Sequence, residues 1–406
     1  MILKWQIEND KGFIFGSNNE IINPNQINTF KNIYLFDLDD TIIKTKSGKT
    51  FAISSTDWEF LDKNVVSKIN KLYDNNNFIG IISNQKGLKS EYLINNWIKK
   101  INDIVKTLKV HVVFASTTDN RYRKPMPGSL DQINNKYFLA NKIKFQDKSK
   151  KYYIGDALGR DGDHSDTDLK FAKNCNLIIK SPETFFDLDN KNNKASITYP
   201  IPQYYSKKEE DNIINNLFNV ISNNITQNKK ILIMCIGLPA CGKSYVRNII
   251  LKKFNEFKYI NNDDINEYKN NKDENDKNNK NFNKLIIDNK NLLNNNFIID
   301  DNTNFNYKKR NKYLEEFKDY FKIVILFDLN MDICMHLNYM RMFYFNKPLI
   351  SKVVYRTLLK SNPDIFSNYD KIIRKEFNYS ISINKLFNRF NSTNFNNENY
   401  NPKYFF

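Results

Sequence analysis

The stretch FDLDDTIIKTKSGKT, residues 36–50, decides the fold. Ahead of it runs IYLF (33–36), an apolar segment that reads as a buried strand. That strand ends in Asp37, Asp39 and Asp40, with Thr41 directly behind. Like charges gathered at a buried strand end repel and lose hydration, so a cation or a dedicated chemistry must compensate them. Asp37 and Asp39 are two residues apart and point to the same side of an extended chain. The pattern D-x-D-x-T then has one good chemical reading. Asp37 is a nucleophile toward phosphorus, giving an aspartyl-phosphate, and Asp39 protonates the leaving oxygen and later deprotonates water. Mg²⁺ would neutralise the clustered carboxylates and the phosphoryl group.

Working outward, FIGIISNQ (78–85), HVVFAST (111–117) and KYYIGDA (151–157) read as further strands. Between them, KNVVSKINKLYDN (63–75) and SEYLINNWIKKINDIVKTL (90–108) are apolar at helical spacing. Strand–helix alternation implies a parallel sheet with helices on both faces, with polar strand ends converging on one crevice. Each strand end supplies one part of a phosphoryl-transfer site. Ser83, with Asn84, is placed to bind phosphate oxygens, Lys124 in YRKPMPG to neutralise nucleophile and phosphate, and Asp156 to add a metal carboxylate, with Asp168 in support. Singly, these are a turn residue, a solvated loop charge and a helix cap; together and in order on a βα alternation they make a site. The acidic loop 161–168 is not an EF-hand, because the required glycine at loop position six is missing. Forty-one residues separate Thr41 from Ser83, and forty separate Ser83 from Lys124. Neither gap holds a large cap domain, so the crevice suits a bulky substrate such as a polymer end.

A second alternating series begins with KKILIMCIGLPACGKSYVRNIILKKF (229–254) and continues in NFIIDD (296–301) and FKIVILFDL (321–329). Within it, GLPACGKS (Gly237, Leu238, Pro239, Ala240, Cys241, Gly242, Lys243, Ser244) fits the phosphate-binding loop G-x-x-x-x-G-K-[ST], with a strand before it and an amphipathic helix after. Its backbone N–H groups would cradle the phosphates of ATP, Lys243 would reach the β/γ-phosphates and Ser244 the Mg²⁺. Asp263 and Asp264 in YINNDDINEY both qualify as a base for an attacking hydroxyl. In FIIDDNTN, Asp300 or Asp301 can hold the metal through water, and Asn302 faces the acceptor cleft. Arg341 falls on a helix where a cation can clamp the transferring phosphoryl group.

Composition adds bounds. A chain of 406 residues with 40% hydrophobic and 14% aromatic residues supports two packed domains. No run reaches 18 apolar residues and the first residues are charged, so a soluble, intracellular protein without membrane partners is expected. Four scattered cysteines, with no CxxC pair, argue against disulfides and zinc. The net charge of +17 suits a polyanionic partner, although Asn, Lys and Ile enrichment is also what an AT-rich genome produces.

The same motifs resemble those of eukaryotic-type bifunctional polynucleotide phosphatase/kinases, which join a haloacid-dehalogenase-like 3′-phosphatase to a P-loop 5′-kinase. The stretches FDLDDTIIKTKSGKTFAISSTDWEF, ISNQKG, YRKPMPG, GDALGRDGDHSDTDLKFAKN, GLPACGKS, INNDDI and IDDNTN carry the resemblance. It implies Asp37 as nucleophile and Asp39 as general acid/base. Asp37, Asp39 (through its carbonyl) and Asp156 would hold Mg²⁺, and Ser83 and Lys124 would hold phosphate. In the kinase it aligns Asp263 with the general base, Asp301 and Asn302 with the Asp-Asn-Thr-Asn strand end, and Arg341 with the second lid arginine. Tyr339 stands where the first lid arginine is expected, and Asn262 where the family has an arginine before its base. No forkhead-associated docking domain is expected, and the products would pass to a separate ligase.

The expected organisation is two doubly wound α/β domains with mainly parallel sheets. They are a haloacid-dehalogenase-like phosphatase (1–190), a linker (191–228), and a P-loop kinase (229–390) carrying a low-complexity insertion (266–284), followed by an Asn-rich tail (391–406). The expected substrate is nucleic acid, foremost DNA with 3′-phosphate or 5′-hydroxyl ends. Two rivals remain: a small-molecule kinase fused to a metabolite phosphatase, and a 3′-phosphatase whose weakened kinase half serves mainly in nucleic-acid binding.

Overall fold

A computed structural model describes residues 2–18, 27–188, 195–196, 202–263, 292–345, 347–361 and 376–388. The insertion 266–284, the tail 391–406 and Asp264 lie outside the described residues. By contact, the chain forms two compact units, one built chiefly from Met1–Ile201 with Tyr339–Leu349 and the other from Pro202–Asn338 and Ile350–Asn394.

In the first unit, a seven-stranded sheet has the order Lys4–Glu8, Phe13–Ser17, Val112–Ser116, Phe78–Asn84, Ile33–Phe36, Lys151–Ile154, Ile178–Lys180. The last five strands run parallel, and the first two form an antiparallel hairpin that extends the sheet. Side chains of the parallel strands alternate between two cores. Phe36, Ile79, Ile81, Val113, Ala115 and Ile154 join one, with Val65, Ile69, Ile94, Trp97 and Ile101 from the covering helices Asn64–Asp74 and Glu91–Ile104. Leu35, Phe78, Ile82, Val112, Phe114 and Tyr153 join the other, under Ile133, Tyr137 and Phe171. Burial on both faces is why these strands read as continuous apolar runs.

Strand order explains where a site must lie. From Ile33–Phe36 the chain winds to Phe78–Asn84 and Val112–Ser116 on one side, then returns to Lys151–Ile154 on the other. The order reverses at Ile33–Phe36, which opens a crevice beyond its C-terminal end. Asp37 sits there, its N–H donating to Ile154 O at 2.8 Å. The chain then turns sharply, with Asp40 at φ 55° and the Ile42 and Ile43 N–H groups on Leu38 O. A two-stranded flap follows, Ile43–Lys44 against Glu59–Phe60. The Asp57 carboxylate closes its loop, accepting from Ser47 N, Ser47 Oγ and Ile53 N at 2.8, 2.8 and 3.0 Å.

The second unit holds a five-stranded, all-parallel sheet of order Lys258–Ile260, Phe297–Asp300, Ile231–Ile236, Phe321–Phe327, Tyr379–Ile383. The central strand Ile231–Ile236 is buried at all six positions. The structure differs from expectation in 191–228, the expected linker. Lys207–Thr226 is a 20-residue helix, started by a capping box between Ser206 and Glu209 and burying Leu217 and Ile221. The polar, proline-containing start of that stretch hid a helix whose apolar face is narrow. No helix among the described residues is long and apolar enough to cross a membrane.

Candidate active sites

In the first unit, four strand ends deliver their side chains to one point. Lys124, with a side chain only 2% exposed, donates to Asp37 Oδ1 at 2.7 Å, Asp168 Oδ1 at 2.8 Å and Tyr153 Oη at 2.7 Å. Asp168 is also held by Ala157 N on Oδ2 at 3.2 Å. Thr41 Oγ1 donates to Asp156 Oδ1 at 3.2 Å. Gly155 makes room for this arrangement, because a Cβ there would stand 2.3 Å from Asp168 Oδ2. Asn84, expected to contact phosphate, reads the backbone of Lys124 instead: its oxygen accepts Lys124 N–H at 2.9 Å and its amide donates to Lys124 O at 3.0 Å. The Lys124 position is thereby fixed from both backbone and side chain.

Carboxylate oxygens of Asp37, Asp156 and Asp168 all lie within 4.8 Å of one another. Burial pushes the Asp37 carboxyl well above the usual carboxylate range, Lys124 opposes the rise, and Asp168 and Asp156 add to it. Asp156 is pushed up to about 6, first by burial and then by Asp168. Burial disfavours the charged form of Lys124 as well, but Asp168 and Asp37 more than offset it and raise its pKa. One buried ammonium, Lys124, thus serves a cluster of three carboxylates, which leaves the cluster short of positive charge. Its donor set is all oxygen and fits a hard divalent cation. The Asp39 carboxylate, half exposed, is turned away from this cluster: its Oδ2 accepts Gln85 Nε2 at 2.7 Å, and its Oδ1 lies 3.6 Å from Lys100 Nζ. The acidic loop beyond Asp156 is held by its own arginine. Arg160 pairs with Asp163 at 3.0 Å and Glu183 at 3.0 Å and donates to Asp156 O at 3.1 Å.

In the second unit, the strand Ile231–Ile236 runs into the loop 237–242 and then the helix Lys243–Lys253. Ala240 at φ 60° and Gly242 at φ 103° shape the loop. Gly237 is tightly enclosed, since a Cβ there would meet Cys241 Sγ and Phe327 Cβ at 2.7 Å each. Lys243 Nζ folds back onto the loop, donating to Leu238 O at 2.8 Å and Gly237 O at 3.1 Å. The neighbouring strand end is tied to the loop strand through Asn304 Nδ2 on Cys235 O at 3.0 Å. Asp301 is buried beside the Ser244 hydroxyl, with Arg247 Nη1 at 2.8 Å and Asn261 Nδ2 at 3.2 Å on its Oδ2. Burial raises its pKa, and Arg247 and Lys243 oppose that. Asp300, pushed up to about 6 by burial, accepts Asn302 Nδ2 at 2.7 Å. Asn302 Oδ1 in turn accepts Asn262 N–H at 3.0 Å. Asp263 is exposed one residue on, its N–H donating to Asn261 Oδ1 at 2.9 Å. Arg341, expected to clamp the transferring phosphoryl group, lies half-buried near the end of the helix Met331–Phe345, in the segment Tyr339–Leu349 that groups by contact with the first unit and not with the phosphate loop.

Of the residues singled out in the sequence, Asp37, Asp39, Thr41, Ser83, Asn84, Lys124, Asp156 and Asp168 come together at one sheet edge. Lys243, Ser244 and Asp301 gather at the other unit's phosphate loop, and Asn302 and Asp263 stand at the ends of the neighbouring strands. The sequence reading passed over Tyr153, Gln85, Lys100, Arg247 and Asn261. Gln85 sat inside the quoted ISNQKG. Tyr153, Lys100 and Arg247 carried no signal, because a tyrosine in an apolar strand and a basic residue on a helix are ordinary features.

Residues 32–186 match the family model described as polynucleotide kinase 3 phosphatase. The chain is 32% identical over 216 residues to the bifunctional polynucleotide phosphatase/kinase of Schizosaccharomyces pombe, spanning 53% of this chain and 50% of that protein. It is 28% identical over 382 residues to a bifunctional polynucleotide phosphatase/kinase homologue of Acanthamoeba polyphaga mimivirus, spanning 86% and 85%. It is also 28% identical over 207 residues to the polynucleotide 3′-phosphatase of Saccharomyces cerevisiae, spanning 38% of this chain and 87% of that one. The chain thus matches about half the length of its fission-yeast relative and most of the length of the viral one.

Proposed function

The chain belongs to the polynucleotide phosphatase/kinase family, and from that premise we propose that it heals nucleic-acid strand ends, hydrolysing 3′-phosphates in its first unit and phosphorylating 5′-hydroxyls with ATP in its second. The observation that carries the reading is the convergence of Lys124 on Asp37 and Asp168 beside Ser83 and Asp39, at the switch point of a parallel sheet.

Asp37 attacks the phosphorus of the terminal 3′-phosphate. The P–O3′ bond breaks, its electron pair moves to the 3′ oxygen, and that oxygen takes a proton from Asp39. Water then attacks the aspartyl-phosphate, gives its proton to Asp39, and inorganic phosphate leaves as Asp37 is restored. Lys124 and Ser83 hold the phosphoryl oxygens, and Asp168 and Tyr153 hold Lys124. Asp37, Asp156 and the Asp39 carbonyl would bind Mg²⁺, which supplies positive charge to the phosphoryl group when present. In the second unit, the loop Gly237–Ser244 receives the phosphates of ATP, and Lys243 exchanges its loop carbonyls for phosphate oxygens. Asp263 takes the proton of the 5′-hydroxyl as it attacks the γ-phosphorus and ADP leaves. Ser244 and Asp301 would hold the Mg²⁺ that accompanies ATP.

The basic surplus and the short flap, in place of a large cap, support a polymer substrate, with DNA as its foremost form and repair of broken strands as its setting. The products, 3′-hydroxyl and 5′-phosphate ends, are what a separate ligase consumes. The test pairs two variants on oligonucleotides. Asp37→Asn should abolish phosphate release from 3′ ends and spare 5′ labelling, and Lys243→Ala should do the reverse. Faster hydrolysis of free mononucleotide phosphates than of 3′-phosphorylated oligonucleotides would refute the polymer assignment.

A further inference from the structure

We propose that Gln85 is a positioning residue of the phosphatase, a two-handed amide that sets the general acid/base Asp39 and the phosphate binder Ser83 in register with each other. The inference rests on the phosphatase reading above.

Three observations support it. The Gln85 Nε2 group donates to Asp39 Oδ2 at 2.7 Å and to Ser83 Oγ at 2.8 Å, which uses both of its hydrogens on two residues of the site. An ionised carboxylate only accepts, so the nitrogen must face Asp39, and this fixes the orientation of the amide. The Gln85 backbone is itself fixed, its N–H donating to Ser116 O at 2.7 Å and its carbonyl accepting Leu88 N–H at 3.1 Å.

Asp39 needs such a hand. Its side chain is 51% exposed, while its neighbours Asp37 and Asp156 form the carboxylate cluster. Left alone, its carboxylate has two poor destinations: bulk water, where many rotamers compete, or a cation bound at the cluster, where it would become one more ligand. Gln85 prevents both. The ammonium of Lys100, buried on the helix Glu91–Ile104, stands 3.6 Å from Oδ1, beyond hydrogen-bond reach, and adds attraction on the same side without occupying that oxygen. Oδ1 is then the oxygen left to give and take the proton. For Ser83 the effect is directional. Its oxygen accepts from Gln85, so its own O–H is directed elsewhere, toward the phosphoryl group it is to bind.

Acid assistance matters in proportion to how poor the leaving group is, and this gives a readout that general damage to the fold does not imitate. An alkoxide such as the 3′ oxygen needs the proton; a nitrophenolate does not. The experiment measures single-turnover release of the leaving group from a 3′-phosphorylated oligonucleotide and from p-nitrophenyl phosphate, in wild type, Gln85→Ala, Gln85→Asn, Asp39→Ala and the Gln85→Ala/Asp39→Ala double variant. Gln85→Ala should slow oligonucleotide turnover by about 10–100-fold with KM within about twofold, and slow nitrophenolate release by less than about threefold. Asparagine, one methylene short, should restore part of the loss. Adding Gln85→Ala to Asp39→Ala should cost less than about threefold further, the part that acts through Ser83, because the larger part acts through Asp39. Equal slowing on both leaving groups, or full additivity in the double variant, would overturn the proposal. Thermal unfolding of each variant identifies any that has lost its fold, and Gln85→Asn then carries the comparison. An Asp37→Asn control that still releases phosphate would overturn the phosphatase reading itself and the proposal with it.

Discussion

Replacing Lys124 by methionine should destabilise the first unit strongly, and by an amount that depends on pH in a definite direction. Lys124 is a buried ammonium between two carboxylates that are 14% and 1% exposed. Methionine keeps much of its length and removes the charge, leaving Asp37 and Asp168 facing each other without compensation. Removing one partner of a buried ion pair costs about 3–5 kcal/mol. With a urea slope of about 2–3 kcal/mol/M, the unfolding midpoint should fall by roughly 1–2.5 M. The assay is favourable, because the three tryptophans Trp5, Trp58 and Trp97 all lie in the first unit, so fluorescence of the full chain reports that unit alone. Measurements belong in EDTA, since a bound cation would substitute for the ammonium. The Asp37 carboxyl already titrates above its unfolded range, and loss of Lys124 raises it further. A carboxyl raised on folding contributes stability only below its unfolded pKa, and that contribution fades as pH rises through its folded pKa. The deficit of Lys124→Met should therefore shrink as pH is lowered from 7.5 to 5, and adding Asp168→Asn should return on the order of 1–2 kcal/mol at pH 7.5. A loss below about 1 kcal/mol at pH 7.5, or one that does not change with pH, would refute this account.

Two further outcomes are expected. Because burial holds Asp156 near 6, magnesium has to displace its proton in acid. Apparent affinity should drop at least about tenfold for each unit below pH 6, because Asp37, also raised, has its own proton to lose, with proton release visible by calorimetry in buffers of different ionisation enthalpy; constant affinity from pH 5 to 7 would contradict it. Gly155→Ala places a methyl 2.3 Å from Asp168 Oδ2 and so must push that carboxylate off Ala157 N–H and Lys124. It should lower phosphate release by about 100-fold while 5′ labelling of oligonucleotides stays within about twofold, and unimpaired release would show that Asp168 does not set the position of Lys124.

Much of the architecture was legible because its causes are local. A parallel strand buried on both faces is an apolar run, and its polar termination marks the C-terminal edge where a crevice opens. A phosphate-binding loop is made of consecutive backbone N–H groups with glycine at strained positions, so GLPACGKS announces itself without reference to the rest of the chain. The helix Lys207–Thr226 was legible in principle through the Ser206–Glu209 capping box, but its narrow apolar stripe within a polar stretch concealed it.

By itself, then, the sequence determined the two α/β units, the order of the strand ends and the chemical type of each site residue. Only the tertiary structure decided how those residues are charged and held. Lys124 meets Asp37 across 87 positions and Asp168 across 44, and Tyr153 joins them from a strand that otherwise reads as core. Asn84, expected to contact phosphate, holds the Lys124 backbone, and Gln85 and Lys100 reach Asp39 from a loop and from a helix interior. The physical reason is that spacing along the chain fixes the direction of a side chain only within its own element. Desolvation and Coulomb energy depend on every element packed around the group, and these exist only once the sheet has closed over them.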